Sequence, residues 1–423
     1  MPGFIKARTG KSMFRKFAVS DLHPGMFITD TAGSALDSPY MYSTEGLLHS
    51  VEEIKEIAAQ GFREAVVDLE RSHQEWAVLY GDSDEHLADI ITKEPPPSSR
   101  PQAQRMPLAP QVELKEELPK ASVLYNEALK TTQQIMQDFK NNGELDVKAG
   151  SVVVEDIVGS MLRNANALQA IGKLRSQDDY TFSHCVNVSM LTAMFVRSLG
   201  HSEDEVFNAG MGGFFHDLGK ARMPAKLLTA SRRLTPEEFS TMRQHARLGY
   251  EYLTKVPEVP ESVRLAALEH HERIDGTGYP DGKRGEDISM LGKIVAIVDV
   301  YDALSSRRAY KDAMLPHRVL GLLYGMRARD LDEELTEQFI RCMGIYPAGS
   351  IVKLGTGEIA VVTQISYASP LYPKVLVVRD AYASPLKPHE LDLALAKDIP
   401  IAACLEHGAF GVYPERILKI ATP

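Results

Sequence analysis

The chain has 423 residues, 44% hydrophobic and 25% charged, which at roughly 100–200 residues per domain predicts two to four domains with ample core and excludes disorder for most of its length. Its 47 Lys and Arg against 57 Asp and Glu leave a net charge of −10, which argues against a protein that chiefly grips a nucleic-acid polymer and leaves room for a small anionic ligand. No apolar run reaches the ~18 residues needed to span a bilayer, and Cys185, Cys342 and Cys404 lack metal-ligand spacing, which points to a reducing cytoplasm and away from a disulfide scaffold.

Lys6, Arg8, Lys11, Arg15 and Lys16 precede any acidic residue. With no apolar stretch behind them they read as a solvated arm and not as a secretion signal. Lys16 to Asp30 alternates like a strand running into a Pro24-Gly25 turn. Val51, Ile54, Ile57 and Ala58 have helical spacing up to a stop at Gly61, and Glu64 to Leu69 reads as a further strand. Together these make a small α/β domain over residues 1–80. Seven of the 24 prolines and no glycine lie between Glu94 and Lys120, so residues 81–120 are predicted to form an extended Pro-rich linker. From Ala121 onward apolar residues recur three and four apart, as in Val154, Ile157, Val158, Met161 and Leu162, which predicts an all-α domain over residues 121–345. Within it Thr235-Pro236-Glu237-Glu238 has the capping hydroxyl, the proline and the returning carboxylate of a helix start. Beyond Tyr346, the segments Ser350 to Lys353, Glu358 to Ile365, Val375 to Val378 and a run near Val412 read as strands. A small β-rich appendage over residues 346–423 is expected.

Five of the 13 histidines, His184, His216, His245, His270 and His271, fall in the helical region together with suitable acids. Asp217 follows His216 directly. Neighbours on a helix diverge by about 100°, so this pair holds an ion only with help from other helices, for which His184 and Asp299 are suitable donors. His245 and the His270-His271 pair supply a second imidazole-rich set, and Asp217 is the candidate bridge between the two. Two divalent ions about 3.5–4 Å apart form the usual clamp for phosphoester hydrolysis. Single histidines are most often surface or hydrogen-bonded residues, and His23, His49, His73, His86, His201, His317, His389 and His407 read that way. Cys185 reads as a packing residue. Asp302 and Glu272 are placed to accept hydrogen bonds from ligand rings. The segment Glu272 to Pro280 reads as an active-site loop in which Tyr279 offers a flat face. Lys220, four residues after His216, is placed to neutralise a phosphate oxygen or to protonate the leaving group.

His216-Asp217-Leu218-Gly219-Lys220, with His270-His271-Glu272 and Gly278-Tyr279-Pro280, resembles the HD-GYP family of the HD phosphohydrolase superfamily, over roughly Gln177 to Met314. Phe17 to Leu69 resembles an uncharacterised domain often fused ahead of HD-GYP domains. The resemblance implies an all-helical HD-type catalytic domain with clustered iron or manganese that opens cyclic di-GMP to linear pGpG and cuts that further to GMP. It implies Asp217 and Lys220 as catalytic residues, and Lys220, Gly278, Tyr279, Pro280, Arg308 and Lys311 as substrate contacts. Members with three ions place a glutamate four residues before the first ligand histidine, where this chain has Tyr180; two divalent ions are therefore expected, with a slower second cleavage. Partners within cyclic di-GMP signalling, such as diguanylate cyclases, and a homodimer are the assemblies it suggests. Rival readings are an HD hydrolase of another nucleotide such as cyclic GMP-AMP, a non-catalytic cyclic di-GMP receptor, and a structural metal site. Nothing before Lys120 supplies a catalytic group set, so that part is expected to regulate.

Overall fold

The alternating and helical periodicities of the first seventy residues resolve into one sheet with a helix on one face and the helical domain on the other. The structure, a computed structural model, describes residues 14–29, 38–69, 71–73, 109–175, 180–230, 232, 234–306, 314–366 and 369–420. Strands β1 (Phe14–Ala18), β2 (Phe27–Ile28), β3 (Met41–Tyr42) and β4 (Gly46–Leu47) precede helix α1 (Val51–Ala59) and strand β5 (Glu64–Asp68). The strand order is β1-β5-β2-β4, with β3 parallel to β5. The Ser50 side chain caps α1 by accepting from the Glu53 N–H, and Gly61, at φ 89°, takes the chain out of it. Ile54 and Ile57 pack with Phe17, Ala65 and Val67, whereas Phe14, Met41 and Val66 join the core of the helical domain. A strand covered on both faces needs no polar alternation, which is why β5 is apolar throughout its middle.

Lys16 departs from the solvated arm expected of it. Its Nζ lies 2.6 Å from Asp330 and 3.1 Å from Glu64, with only 8% of the side chain exposed. Arg329 adds a 3.0 Å bond to Glu64. These ions bind the first sheet to the helical domain, since breaking a buried pair from one side costs roughly 3–5 kcal/mol. Residues 1–13, with the other early cations except Arg15, lie outside the described residues.

The helical part comprises α2 (Leu114–Asn142), α3 (Val147–Arg175), α4 (Tyr180–Ser198), α5 (Glu203–Phe215), α6 (Ala225–Leu228), α7 (Pro236–Met242), α8 (Gln244–Thr254), α9 (Glu261–Glu269), α10 (Met290–Ser305), α11 (Pro316–Met326) and α12 (Glu333–Met343). Helix α2 corrects the linker boundary, because residues 114–120 are helical with Pro119 inside. Burial outweighs the proline there: Glu117 is fully buried and accepts from Ser160 at 2.7 Å and twice from Arg163 at 2.8 Å. Most of the expected linker, residues 81–108, lies outside the described residues. Helix α3 breaks at Asn164 (φ −162°, ψ 98°), whose side chain bonds the Val112 carbonyl at 2.9 Å. Helix α7 starts at Thr235 with the reciprocal cap read from its sequence.

Two helices buried on nearly every side, α4 and α10, form the centre, and α10 is buried continuously from Leu291 to Leu304. Helix α5 crosses α4 backbone to backbone. A β-carbon on Gly213 would stand 2.7 Å from the Val188 carbonyl oxygen, so glycine there sets the closeness of the crossing. Beyond α12 comes an antiparallel sheet in the order β10-β6-β7-β8-β9, made of β6 (Ile351–Leu354), β7 (Ile359–Gln364), β8 (Lys374–Arg379), β9 (Pro385–Asp392) and β10 (Ile401–Leu405). A short helix, α13 (Pro414–Ile417), follows. Strand β9 escapes a hydrophobic reading because it is an exposed edge containing Pro385 and Pro388. The run near Val412 is not a strand: it follows a 3-10 turn and buries Val412 beside Ile351, Ile359 and Val361. Among the described residues no helix is long and apolar enough to cross a membrane.

Candidate metal centre

The His216-Asp217 pair sits where α5 ends. His216 closes the helix at φ −54°, ψ −39°, and Asp217 leaves helical geometry at φ −98°, ψ 10° to open the 3-10 turn Leu218–Arg222. That change of backbone removes the divergence expected of neighbours on one helix, and both side chains turn to the same centre. Gly219 then lets the turn lie directly on α8. A β-carbon there would stand 1.9 Å from the His245 carbonyl oxygen and 2.8 Å from the Gly249 nitrogen. The contact brings His245 Nε2 to 3.3 Å from Asp217 Oδ1, with His270 Nε2, from the end of α9, at 3.6 Å. On the other side Asp217 Oδ2 lies 3.3 Å from His216 Nε2 and 3.8 Å from His184 Nε2. Asp299, on α10, places Oδ1 3.0 Å from His184 Nε2.

Hydrogen bonds determine which ring nitrogens face inward. The Nδ1 atoms of His216, His245 and His270 lie 2.7, 2.7 and 3.0 Å from the carbonyl oxygens of Gly213, Met242 and Ala267. A carbonyl only accepts, so each Nδ1 carries the proton and each Nε2 presents a lone pair. His245 Nε2 and His270 Nε2 thereby face one another at 3.3 Å, two lone pairs in contact. His216 Nε2 and Asp217 Oδ1 are buried without a hydrogen-bond partner. Converging lone pairs and buried carboxylates repel one another unless a cation lies among them, and imidazole with carboxylate oxygen is a donor set that suits divalent transition metals. The donors form two groups, Asp217 with His245, His270 and His271, and His184 with His216 and Asp217, each within 4.8 Å. The cluster therefore fits divalent metal, with Asp217 common to both groups.

Electrostatics follow the same division. Burial pushes the His245 imidazole down to about 3 and lowers His270 and His271 as well. Burial opposes charge on His184 too, yet Asp299 and Asp302 outweigh it and raise that ring to about 9. Burial would also push Asp217 up, but the Lys220 ammonium beside it prevails and holds it well below the usual carboxylate range. The Lys220 ammonium lies 2.5 Å from Asp217 Oδ2. The pull that favours a proton on His184 Nε2 equally favours a metal cation in that place.

The structure brings His184, His216, Asp217, His245, His270, His271 and Asp299 to one centre. Asp302 has the supporting place expected of it, with Oδ2 2.7 Å from His184 Nδ1. Glu272 does not orient a ring; it accepts from the Asp281 and Lys283 backbone N–H groups at 2.8 and 3.0 Å and closes the loop after Pro280. Gly278 packs on the backbone of that loop, since a β-carbon would lie 2.4 Å from the Arg273 nitrogen and 2.5 Å from the His271 oxygen. Tyr279 is not an open platform: His271 stacks on it with centroids 4.6 Å apart, and Arg243 lies over it at 4.7 Å. Burial pushes the Cys185 thiol up, in keeping with a packing role, and His201 pairs with Glu205 at 3.2 Å away from the centre. Arg308, Lys311 and the side chain of Tyr180 lie outside the described residues. Sequence reasoning missed Asn187 and Tyr125. Asn187 donates to Asp302 at 3.0 Å and accepts from the Tyr125 hydroxyl at 2.8 Å, tying α2 to His184. No local motif marks either residue, because the partners are 62 and 115 positions apart.

Residues 153–335 match the HD domain family, residues 14–149 a domain of unknown function (DUF3391), and residues 351–410 a KOW domain associated with HD domain. The chain is 31% identical over 379 residues to the cyclic di-GMP phosphodiesterase PA4108 of Pseudomonas aeruginosa, covering 90% of this chain and 88% of that protein. It belongs to the HD-GYP family of HD-domain phosphodiesterases. The cyclic di-GMP phosphodiesterase response regulator RpfG of Xanthomonas campestris is 39% identical over 39% of this chain and 44% of its own length. A 3′3′-cGAMP-specific phosphodiesterase of Vibrio cholerae is 31% identical over 41% of this chain and 32% of its own length. The DUF3391 match runs through the Pro-rich stretch and takes in α2, so in this HD-GYP chain the helix that carries Tyr125 comes from outside the HD match. The β-rich end, which the motifs left without a relative, matches the KOW domain.

Asp302 tests how the HD-GYP centre is supported. Asp302→Ala removes the acceptor of His184 Nδ1 and leaves Asn187 Nδ2 and Ser306 Oγ without theirs. Loss of such a supporting group weakens metal binding by about tenfold to hundredfold. Calorimetric titration of Mn²⁺ into the chelator-treated chain measures this, and an unaltered affinity would show that His184 needs no orienting group.

Proposed function

We propose that this chain hydrolyses cyclic di-GMP with two divalent ions, iron or manganese, in the reducing cytoplasm, opening the ring to pGpG first and cutting that to GMP more slowly. The observation that carries the reading is the position of Asp217, whose two oxygens face different nitrogen-rich groups. His184, His216, Asp217 and Asp299 hold one ion, and His245, His270, His271 and Asp217 the other. When bound, such a pair supplies an activated water and takes up charge from phosphate oxygens. The residues of the chain do the rest. Carbonyl bonds at Nδ1 lock the rings so that they do not turn away. Lys220, partly exposed beside Asp217, meets a phosphate oxygen and gives a proton to the departing ribose oxygen. Arg308 and Lys311 act as phosphate contacts, and the Gly278-Tyr279-Pro280 loop closes the wall beside His271. The relative that matches along 90% of this chain carries a cyclic di-GMP name, whereas the cyclic GMP-AMP relative matches 41%, which favours the first substrate. Diguanylate cyclases are then the natural opposing partners, and the DUF3391 part regulates.

The test is to incubate the purified chain with Mn²⁺ or Fe²⁺ and cyclic di-GMP and to resolve the products by chromatography, with elemental analysis of anaerobically purified protein. pGpG should appear before GMP, with about two ions per chain. No turnover in the metal-replete protein would overturn the function, and about three ions would overturn the count.

A further inference from the structure

Tyr279 packs against two polar neighbours. The planes of Tyr279 and His271 lie 27° apart at a centroid distance of 4.6 Å, so the imidazole covers one face of the phenol ring. The guanidinium carbon of Arg243 lies over the same ring, 4.7 Å from its centroid, and Phe239 meets the edge. Arg243 lies at the junction of α7 and α8, two residues before His245. Among the described residues its guanidinium makes no hydrogen bond and no ion pair. Nearby arginines are engaged: Arg232 with Glu238 at 2.7 Å, Arg247 with Asp281, and Arg273 with the Glu272 carbonyl at 2.9 Å. Arg243 is therefore a half-buried cation, fixed by stacking, with its N–H donors still to be met.

We propose that Arg243 is a specificity-determining residue that reads a guanine base of the substrate by donating two parallel N–H bonds to O6 and N7. The inference rests on the cyclic di-GMP reading. Arg243 packs on Tyr279, which in turn packs on the donor His271, so its contacts lie one residue out from the metal centre. A base, held off its phosphate by the ribose, is the part of the nucleotide that extends to this outer layer. Guanine presents two adjacent acceptors to a guanidinium fork, whereas adenine presents a donor beside N7 and turns one prong away. Stacking on Tyr279 holds the fork before the ligand arrives, which reduces the ordering cost of binding.

The test measures kcat and KM of the full-length Mn²⁺-loaded chain for cyclic di-GMP and cyclic di-AMP, with an inhibition constant where a dinucleotide binds without turnover. Hydrolysis of bis(p-nitrophenyl) phosphate, which carries no base, reports whether the centre is intact and serves to normalise. Arg243→Met should lower the preference for cyclic di-GMP over cyclic di-AMP by about tenfold to hundredfold, with the loss in KM and not in kcat. Arg243→Lys, which keeps the charge but not the fork, should not restore it. An equal loss on both dinucleotides would assign Arg243 to a phosphate and overturn the proposal, as would an unchanged preference. Wild-type protein that cleaves the ester but neither binds nor cleaves cyclic di-GMP would instead overturn the substrate reading, and this inference with it.

Discussion

Asp217→Ala is expected to reduce hydrolysis by about a thousandfold or more, because charge stabilisation by such a centre is worth several kcal/mol and 1.36 kcal/mol corresponds to one decade in rate. Asp217 is the residue that both donor groups share, so its loss weakens both. It also removes the partner of Lys220, 2.5 Å away, and leaves that ammonium facing the imidazoles. Elemental analysis and the rate of cyclic di-GMP cleavage are to be measured on the same sample. His201→Ala is the control, since His201 pairs with Glu205 outside the centre. A metal-replete Asp217→Ala protein with wild-type activity would remove Asp217 from the bridging position.

Gly219→Ala is expected to lower the rate about a hundredfold by a different route. The added methyl would stand 1.9 Å from the His245 carbonyl oxygen and 2.8 Å from the Gly249 nitrogen. Both are backbone atoms, so no side chain can swing aside. The 3-10 turn must lift off α8, which separates Asp217 from His245. A misplacement of about 1 Å at a reacting centre costs roughly hundredfold in rate, and overpacking of this kind destabilises by about 1–3 kcal/mol or more. Cyclic di-GMP cleavage and Tm should therefore both fall, while Gly46→Ala, which meets nothing within 4 Å, leaves cleavage as it was. Wild-type kcat/KM in Gly219→Ala would show that the turn tolerates separation from α8.

The two substitutions divide what the amino-acid sequence determined from what only the folded chain decided. The candidate donors were legible because metal chemistry restricts side-chain identity: imidazoles and carboxylates at His216-Asp217 and His270-His271 are unusual enough to stand out from the solvated histidines. The helices were legible because burial of one face imposes a period on the chain, and Thr235 to Glu238 marks a start through local bonds alone. Lys16 was not, since a lysine reads the same whether it meets water or Asp330, 314 positions away. Strand β9 was not, since an exposed edge has no apolar period to betray it. Gly219 stood in a recognised motif, but only the contact with α8 reveals what its missing β-carbon is for. The position of Arg243 over Tyr279 depends on two segments, 36 positions apart, that meet only in the tertiary fold. Local patterns record what each residue can do, and long-range packing decides which of those capacities face one another.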